Sequence, residues 1–221
     1  MNNLENICKN ILAESQQDNE VWKHAQTEEL NYWGNCYNYR TWCEFSKGEM
    51  YAREIGLTAE YGVEGELNMQ GKSVIDIGGG PVSMTLRCFN SRQLTVVDPC
   101  NWPPSVQRRY DRYGIKLIKM PAESLTPDIV GVAEEAWLIN LLQHVQDPAL
   151  VIERCKCMAK VIRIFDWLNI PPDGGAHPRM LTAEGILNWF LGCKIRQIRL
   201  PRINEYWSNA DAIGAVFETG L

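Results

Sequence analysis

In this 221-residue chain the residues best suited to chemistry gather after one short apolar run. Val74-Ile75-Asp76-Ile77 leads directly into Gly78-Gly79-Gly80-Pro81. Such a run reads as a buried strand, and glycines directly after it let the backbone approach a ligand closely. A helix expected over Ser83 to Phe89 would turn free N–H groups toward an anionic group at the loop. A second run, Leu94-Thr95-Val96-Val97, ends in Asp98, 22 residues after Asp76. A carboxylate at a strand tip can accept both hydroxyls of a ribose.

Two ligand classes use this arrangement, dinucleotides and S-adenosylmethionine. A dinucleotide loop of the form G-x-G-x-x-G/A would need its third glycine where Ser83 stands. Asp76, two residues before the first glycine, would face a pyrophosphate unfavourably but suits the ammonium of an amino-acid tail. Asp98 serves the ribose of either ligand and does not separate them. Asp98 could also cap a helix beginning near Trp102 or Ser105, and the loop could be a turn with no ligand.

Other candidates lie later in the chain. His144 follows the run Leu138-Ile139-Asn140-Leu141-Leu142-Gln143 and reads as a base beside the ligand or as a locally hydrogen-bonded residue. His177 sits in Pro171-Pro172-Asp173-Gly174-Gly175-Ala176-His177-Pro178, a loop with a substrate role or a turn role. Asp166 ends a predicted strand and is open between the same two roles. The eight cysteines include Cys155 and Cys157 in a C-x-C, without a second ligand pair. No metal site is expected, and free thiols of a reducing cytosol are the default.

The elements that must position these groups fall into two stretches. Residues 1–72 read as helical, without strand-like alternation. Trp22, Gln26, Glu29 and Trp33 recur as one stripe of a helix, and a second helix is predicted from Tyr39 to Ile55, ending at Gly56. Aromatics at that spacing are core or a lid over an acceptor pocket. This stretch holds 6 basic and 12 acidic side chains, whereas the rest of the chain holds 16 and 15. From Ser73 onward short apolar runs alternate with helical stretches. Strands are predicted at Ser73–Ile77, Leu94–Asp98, Ile115–Lys119, Ala136–Leu141, Val161–Asp166, Lys194–Leu200 and Ile213–Glu218. Helices are predicted at Ser105–Tyr113, Asp147–Met158 and Thr182–Leu191. That alternation predicts an α/β fold, a three-layer sandwich around a mostly parallel sheet. In such sheets a ligand sits beyond the carboxyl ends of the strands, at the point where the strand order reverses.

On these residues the chain resembles a class I S-adenosylmethionine-dependent methyltransferase of the small-molecule branch, over residues 73–221. The family's D-x-G-x-G-x-G loop falls on Asp76, Gly78 and Gly80, with Gly79 between them and Val82 in place of the third glycine. Asp98 matches the ribose-binding acid and Pro99 follows it. Met120-Pro121-Ala122-Glu123-Ser124-Leu125 is similar to the segment along the adenine, with Pro121 replacing an acid and Ala122 and Glu123 beside it. Leu138 to Pro148, with Asn140, is similar to the fourth-strand motif, and His177 to Leu191 to the late helix and its loop. The resemblance implies a Rossmann-like, doubly wound, seven-stranded sheet in the order 3-2-1-4-5-7-6 with the last strand antiparallel. It implies an N-terminal helical cap over 1–72, S-adenosylmethionine as cofactor and S-adenosylhomocysteine as product. Catalysis would be largely proximity and orientation, with His144 and His177 as candidate catalytic groups and Trp22, Gln26, Glu29 and Trp33 as the candidate acceptor pocket.

Composition narrows the partners. A net charge of −5 carries no basic footprint for nucleic acid. The (N/D)-P-P-(Y/F) motif used on exocyclic base amines is absent after the fourth strand. No apolar run approaches the ~20 residues of a membrane span, and six acids in the first thirty residues argue against a secretory or transit peptide. A cytoplasmic enzyme acting on a small molecule is the expectation. The alternatives are a catalytically inactive member of the fold that binds the cofactor or a partner, and an NAD(P)-dependent oxidoreductase. Oligomeric state is left open.

Overall fold

The computed structural model describes residues 20, 22–172, 177–204 and 210–221, with the backbone alone at 39–41. The sites expected in residues 173–176 lie outside them. Helix α1 spans 22–33, followed by α2 (Tyr39–Glu54) and α3 (Leu57–Tyr61). Then come β1 (Gly62–Val63), β2 (Glu66–Asn68), β3 (Ser73–Ile77), β4 (Cys88–Phe89) and β5 (Gln93–Val97). The chain continues through α4 (Pro104–Arg112), β6 (Ile115–Ile118), α5 (Pro127–Val130), β7 (Ala133–Ile139), α6 (Pro148–Lys156) and β8 (Ala159–Leu168). It closes with α7 (Ala183–Trp189), β9 (Lys194–Arg199), β10 (Arg202–Ile203) and β11 (Ala210–Glu218).

The main sheet runs β6-β5-β3-β7-β8-β11, with β9 and β10 both paired to β11. β3, β5, β6, β7 and β8 are parallel to one another, and β11 is antiparallel to β8. This is the expected order with the last strand reversed; β10 is an addition. Every residue of β3 is buried, as a strand covered on both faces requires. Alternate residues serve the two faces. Ala136, Leu138, Ile162 and Ile164 join α6 and α7 in one core, while Trp137, Phe165 and Trp167 join α2, α3 and α4 in the other. The order helix layer, sheet, helix layer follows from that period of two.

Two expectations fail. No α-helix spans Ser83 to Phe89: two 3-10 turns, Gly80–Val82 and Met84–Arg87, lead into β4 instead. The cause is competition from side chains. Ser83 Oγ donates to Asp76 and accepts from Thr85 N, Tyr110 Oη accepts from Ser83 N, and β4 pairs with β2. The helix N-terminus expected to face the ligand is therefore missing. The purely helical reading of 1–72 also fails, because β1 and β2 form a small sheet with β4. Other ends are set locally. Asp147 Oδ1 accepts from Leu150 N to cap α6, with Pro148 at its first position, and Thr182 Oγ1 accepts from Gly185 N to cap α7. The cap of α4 is Pro103 rather than Asp98.

Candidate functional site

A cavity of about 1110 Å³, open mouth included, lies at the carboxyl ends of β3, β5, β6 and β7. The loop after β3 supplies Asp76, Gly78, Gly79 and Gly80; the loop after β5 supplies Asp98 and Pro99. The segment after β6 supplies Ala122 and Glu123, and the one after β7 supplies Asn140 and His144. All of these come together as expected. So does the stripe of α1, because Trp22, Gln26, Glu29 and Trp33 line the same cavity. His177 does not line it; its ring lies 4.8 Å from that of His144, centroid to centroid.

The glycine loop is built for close approach. Gly78 has φ +73, and a Cβ there would stand 2.4 Å from Leu141 Cδ1. Tyr110 on α4 pins the loop from the far side, its hydroxyl donating to Gly80 O at 2.6 Å. That role carried no sequence signal, since Tyr110 stands 30 residues away from Gly80. Asn140 adopts φ +54, a left-handed conformation that asparagine tolerates better than most residues.

Five carboxyl groups line this space, Glu29, Glu44, Asp76, Asp98 and Glu123, and burial raises three of them. Asp76 is 2% exposed and Asp98 6% exposed, and Glu29 is three-quarters buried. Burial pushes Asp76 up to about 7, with the Asp98 charge adding to it and the Ser83 hydroxyl opposing it. Burial likewise raises Glu29 to about 7, Asp98 again contributing and the Trp33 indole opposing. Asp98 is raised by the same desolvation, against hydrogen bonds from Cys100, Gly80 and Trp102. Those bonds are specific: Asp98 Oδ1 accepts from Cys100 N and Trp102 Nε1, each at 2.9 Å, and Oδ2 accepts from Gly80 N at 3.1 Å. Asp76 Oδ1, by contrast, is buried without a hydrogen-bond partner among the described residues. An orphan carboxylate oxygen beside two more acids is a site that a cation would complete.

His144 Nδ1 lies 3.2 Å from Glu29 Oε1, and Trp33 Nε1 donates to Glu29 Oε2 at 3.1 Å. The contact joins the N-terminal helix to the loop after β7. Gln26 Oε1 accepts from Cys100 Sγ at 3.0 Å and makes a second tie. Burial pushes the Cys100 thiol up, so it is a neutral donor rather than a nucleophile. Glu123 Oε1 accepts from Gln146 N at 2.8 Å and so braces the segment beside it. Asp166 stays outside the cavity. Its Oδ2 accepts from Leu141 N and Leu142 N at 3.2 and 2.7 Å, fixing the turn after β7. Sequence reasoning missed Phe45, Tyr51 and Trp102, which add aromatic walls. The cluster of aromatics between Trp22 and Tyr51 was visible, but not which rings face inward.

No protein-family model matches the chain. Over 111 residues, 48% of the chain, it is 29% identical to a ubiquinone biosynthesis O-methyltransferase of Bordetella parapertussis, and the match covers 46% of that protein. The chain spans about half the length of the curated relatives it matches. Among solved structures it resembles the N-methyltransferase NodS from Bradyrhizobium japonicum WM9 in complex with S-adenosylhomocysteine. The TM-score is 0.64 at 13% identity, over 90% of this chain and 100% of that one. It also resembles the 1,6-didemethyltoxoflavin-N1-methyltransferase of Burkholderia thailandensis, solved with bound 1,6-didemethyltoxoflavin and S-adenosylhomocysteine. There the TM-score is 0.63 at 12% identity, over 91% of this chain and 89% of that one. At such identities the likeness is one of fold. The chain has the fold of the class I S-adenosylmethionine-dependent methyltransferases.

Proposed function

We propose that this chain moves the sulfonium methyl of S-adenosylmethionine to a small-molecule acceptor. The observation that carries the reading is Asp76, Asp98 and Glu29, the three lining carboxyls that burial raises, on one cavity at the switch point of the sheet. A ligand with an ammonium and a sulfonium matches that charge. Asp76 Oδ1 would take the ammonium, and the backbone of Gly78, Gly79 and Gly80 would admit the amino-acid tail. Asp98 and Pro99 would hold the ribose. Asp98 Oδ2 has one lone pair left for a hydroxyl, while a second hydroxyl would displace a donor from Oδ1. Ala122, Glu123 and Asn140 would border the adenosine. When bound, the cofactor supplies a methyl already activated on sulfur, so orientation is most of what the reaction asks of the protein.

The chain's own residues do the rest. Within the expected cap of 1–72, of which residues 1–19 lie outside the described residues, residues 22–72 act as a cap on a core of 73–221, with Trp22, Gln26, Glu29 and Trp33 roofing the acceptor and excluding water. His144, steadied by Glu29 at 3.2 Å, takes the acceptor's proton where one must leave. His177, its ring 4.8 Å from that of His144, supports it. The protein works in the cytoplasm without nucleic acid or membrane; no described helix is long and apolar enough to cross one. One observation favours a second reading, a catalytically inactive member of the fold: three protein donors already occupy Asp98 and compete with a ribose for it.

Calorimetric titration with S-adenosylmethionine, S-adenosylhomocysteine, NAD and NADP tests the reading. The sulfonium compound and its product should bind at micromolar concentration and the nicotinamides should not. Asp98→Ala should weaken binding about 10- to 100-fold, the loss of a hydrogen bond to a charged group. Failure of both S-adenosyl compounds to bind would overturn the proposal, and binding without methyl transfer to any of a panel of amines, phenols and carboxylates would favour the second reading.

A further inference from the structure

A second concavity of about 1110 Å³ opens beside the first, and Phe45 and Val82 line both. We propose that this groove binds an anionic group, a phosphate, sulfonate or carboxylate, carried by the methyl acceptor. The word acceptor rests on the methyl-transfer reading; the anion rests on the groove alone.

The groove is basic and aromatic. Arg108, Arg109 and Arg112 of α4 line it together with Tyr37, Trp42 and Tyr113. Arg108 and Arg112 are one helical turn apart and exposed, without a hydrogen-bond or ion-pair partner among the described residues. Like charges at that spacing repel, and an anion between them relieves the cost. Arg109 is already fixed: its Nη1 donates to Pro81 O at 2.5 Å and its Nη2 to Cys36 O at 2.7 Å. Its guanidinium lies 4.7 Å from the centre of the Tyr37 ring. It therefore presents a pre-organised positive plane at the groove wall. Tyr37, Trp42 and Tyr113 are 64%, 66% and 59% exposed, large flat faces left to solvent. The chain as a whole carries −5, and the neighbouring cavity is acidic, so three arginines on one groove reverse the local sign. Two adjoining concavities of opposite charge fit one ligand with a neutral or cationic head to be methylated and an anionic tail. A ring next to the anion would stack on the exposed aromatics.

The test is calorimetry at pH 7 and low ionic strength with phenyl phosphate and phenol, on the wild-type chain and on Arg108→Gln/Arg112→Gln. The same preparations are titrated with S-adenosylhomocysteine. The phosphate ester should bind, the phenol should bind at least tenfold more weakly, and the double variant should weaken the ester about tenfold or more. Affinity for S-adenosylhomocysteine should not change. Equal binding of phenyl phosphate and phenol, or of the ester to both proteins, would overturn the groove as an anion site. If S-adenosylhomocysteine itself fails to bind, the methyl-transfer reading falls while the ester titration still reports on the groove. In turnover assays the double variant should raise KM for acceptors bearing a phosphate or carboxylate and leave kcat and neutral acceptors alone. An unchanged KM for anionic acceptors would overturn the link to the acceptor.

Discussion

Burial decides the ionisation of Glu29 and Asp76 before any ligand arrives. Glu29 and Asp76 titrate near 7 instead of near 4 because water is withdrawn and Asp98 adds its charge. A cationic ligand favours their ionised forms, so binding should expel protons. Affinity for S-adenosylmethionine is expected to rise as pH goes from about 6 to about 8 and then level off. Calorimetry in buffers of different ionisation enthalpy would count the protons released near neutral pH, and Glu29→Gln should lower that count. A pH-independent affinity would contradict the charge argument. Asp76, the glycines and Asp98 were legible in the sequence because loop residues after strands announce themselves by type and spacing. The roles of Tyr110 and Asp166 were not, since each acts on backbone groups 24 or more residues away.

Elements meet here through two close approaches that only glycine permits. At Gly78 the left-handed backbone and the 2.4 Å approach of a Cβ to Leu141 Cδ1 make alanine costly. Gly78→Ala should destabilise the fold by about 1–3 kcal/mol, read as a lower urea midpoint, and weaken cofactor binding as well. At Gly214 a Cβ would meet Glu54 O at 2.5 Å, where the end of α2 crosses β11. Gly214→Ala should cost a similar amount of stability, because backbone rather than a flexible side chain must move. It should leave affinity for S-adenosylhomocysteine nearly unchanged, Gly214 lying outside the cavity. The missing helix after Gly80 belongs to this scale too. Its sequence supports a helical turn, but Asp76, Tyr110 and β2 claim its polar groups.

The whole molecule is pinned by a buried charge cluster in which Arg163 pairs with Glu135 on the neighbouring strand and with Glu60, and Lys72 reaches Glu135 at 4.0 Å. Arg163 Nε donates to Glu135 Oε2 at 2.9 Å and Nη2 to Oε1 at 3.0 Å, each residue 1% exposed. Arg163 Nη1 also donates to Ile55 O, tying β8 to the chain between α2 and α3. Arg163→Leu would leave Glu135 with hydrogen bonds from Tyr61 Oη and Trp137 Nε1 and with Lys72 at 4.0 Å, and should cost up to about 3–5 kcal/mol, measured by urea unfolding. Stability should also depend on pH in two opposite ways. Glu29, Asp76 and Asp166, raised to about 7, oppose folding above that pH, and the penalty disappears as pH falls toward about 4. Glu60 and Glu134, lowered to about 2 by their arginine partners and hydrogen bonds, support folding above about 4.5, and that support is lost as pH falls toward 2. The thermal midpoint should therefore rise on acidification from about 8 to about 5 and drop below about 4. By itself the order of residues determined the alternation of strand and helix, the glycine loop, the acid at the second strand tip and the stripe on α1. Each of these is written in short-range periodicity and residue type. Only the tertiary structure decided that Glu29 meets His144, that Tyr110 holds the loop, that Ser83 to Phe89 is not a helix and that α4 turns three arginines onto a groove beside the cavity. Those outcomes depend on contacts between residues far apart in the chain, where burial and competition for hydrogen bonds outweigh local propensity.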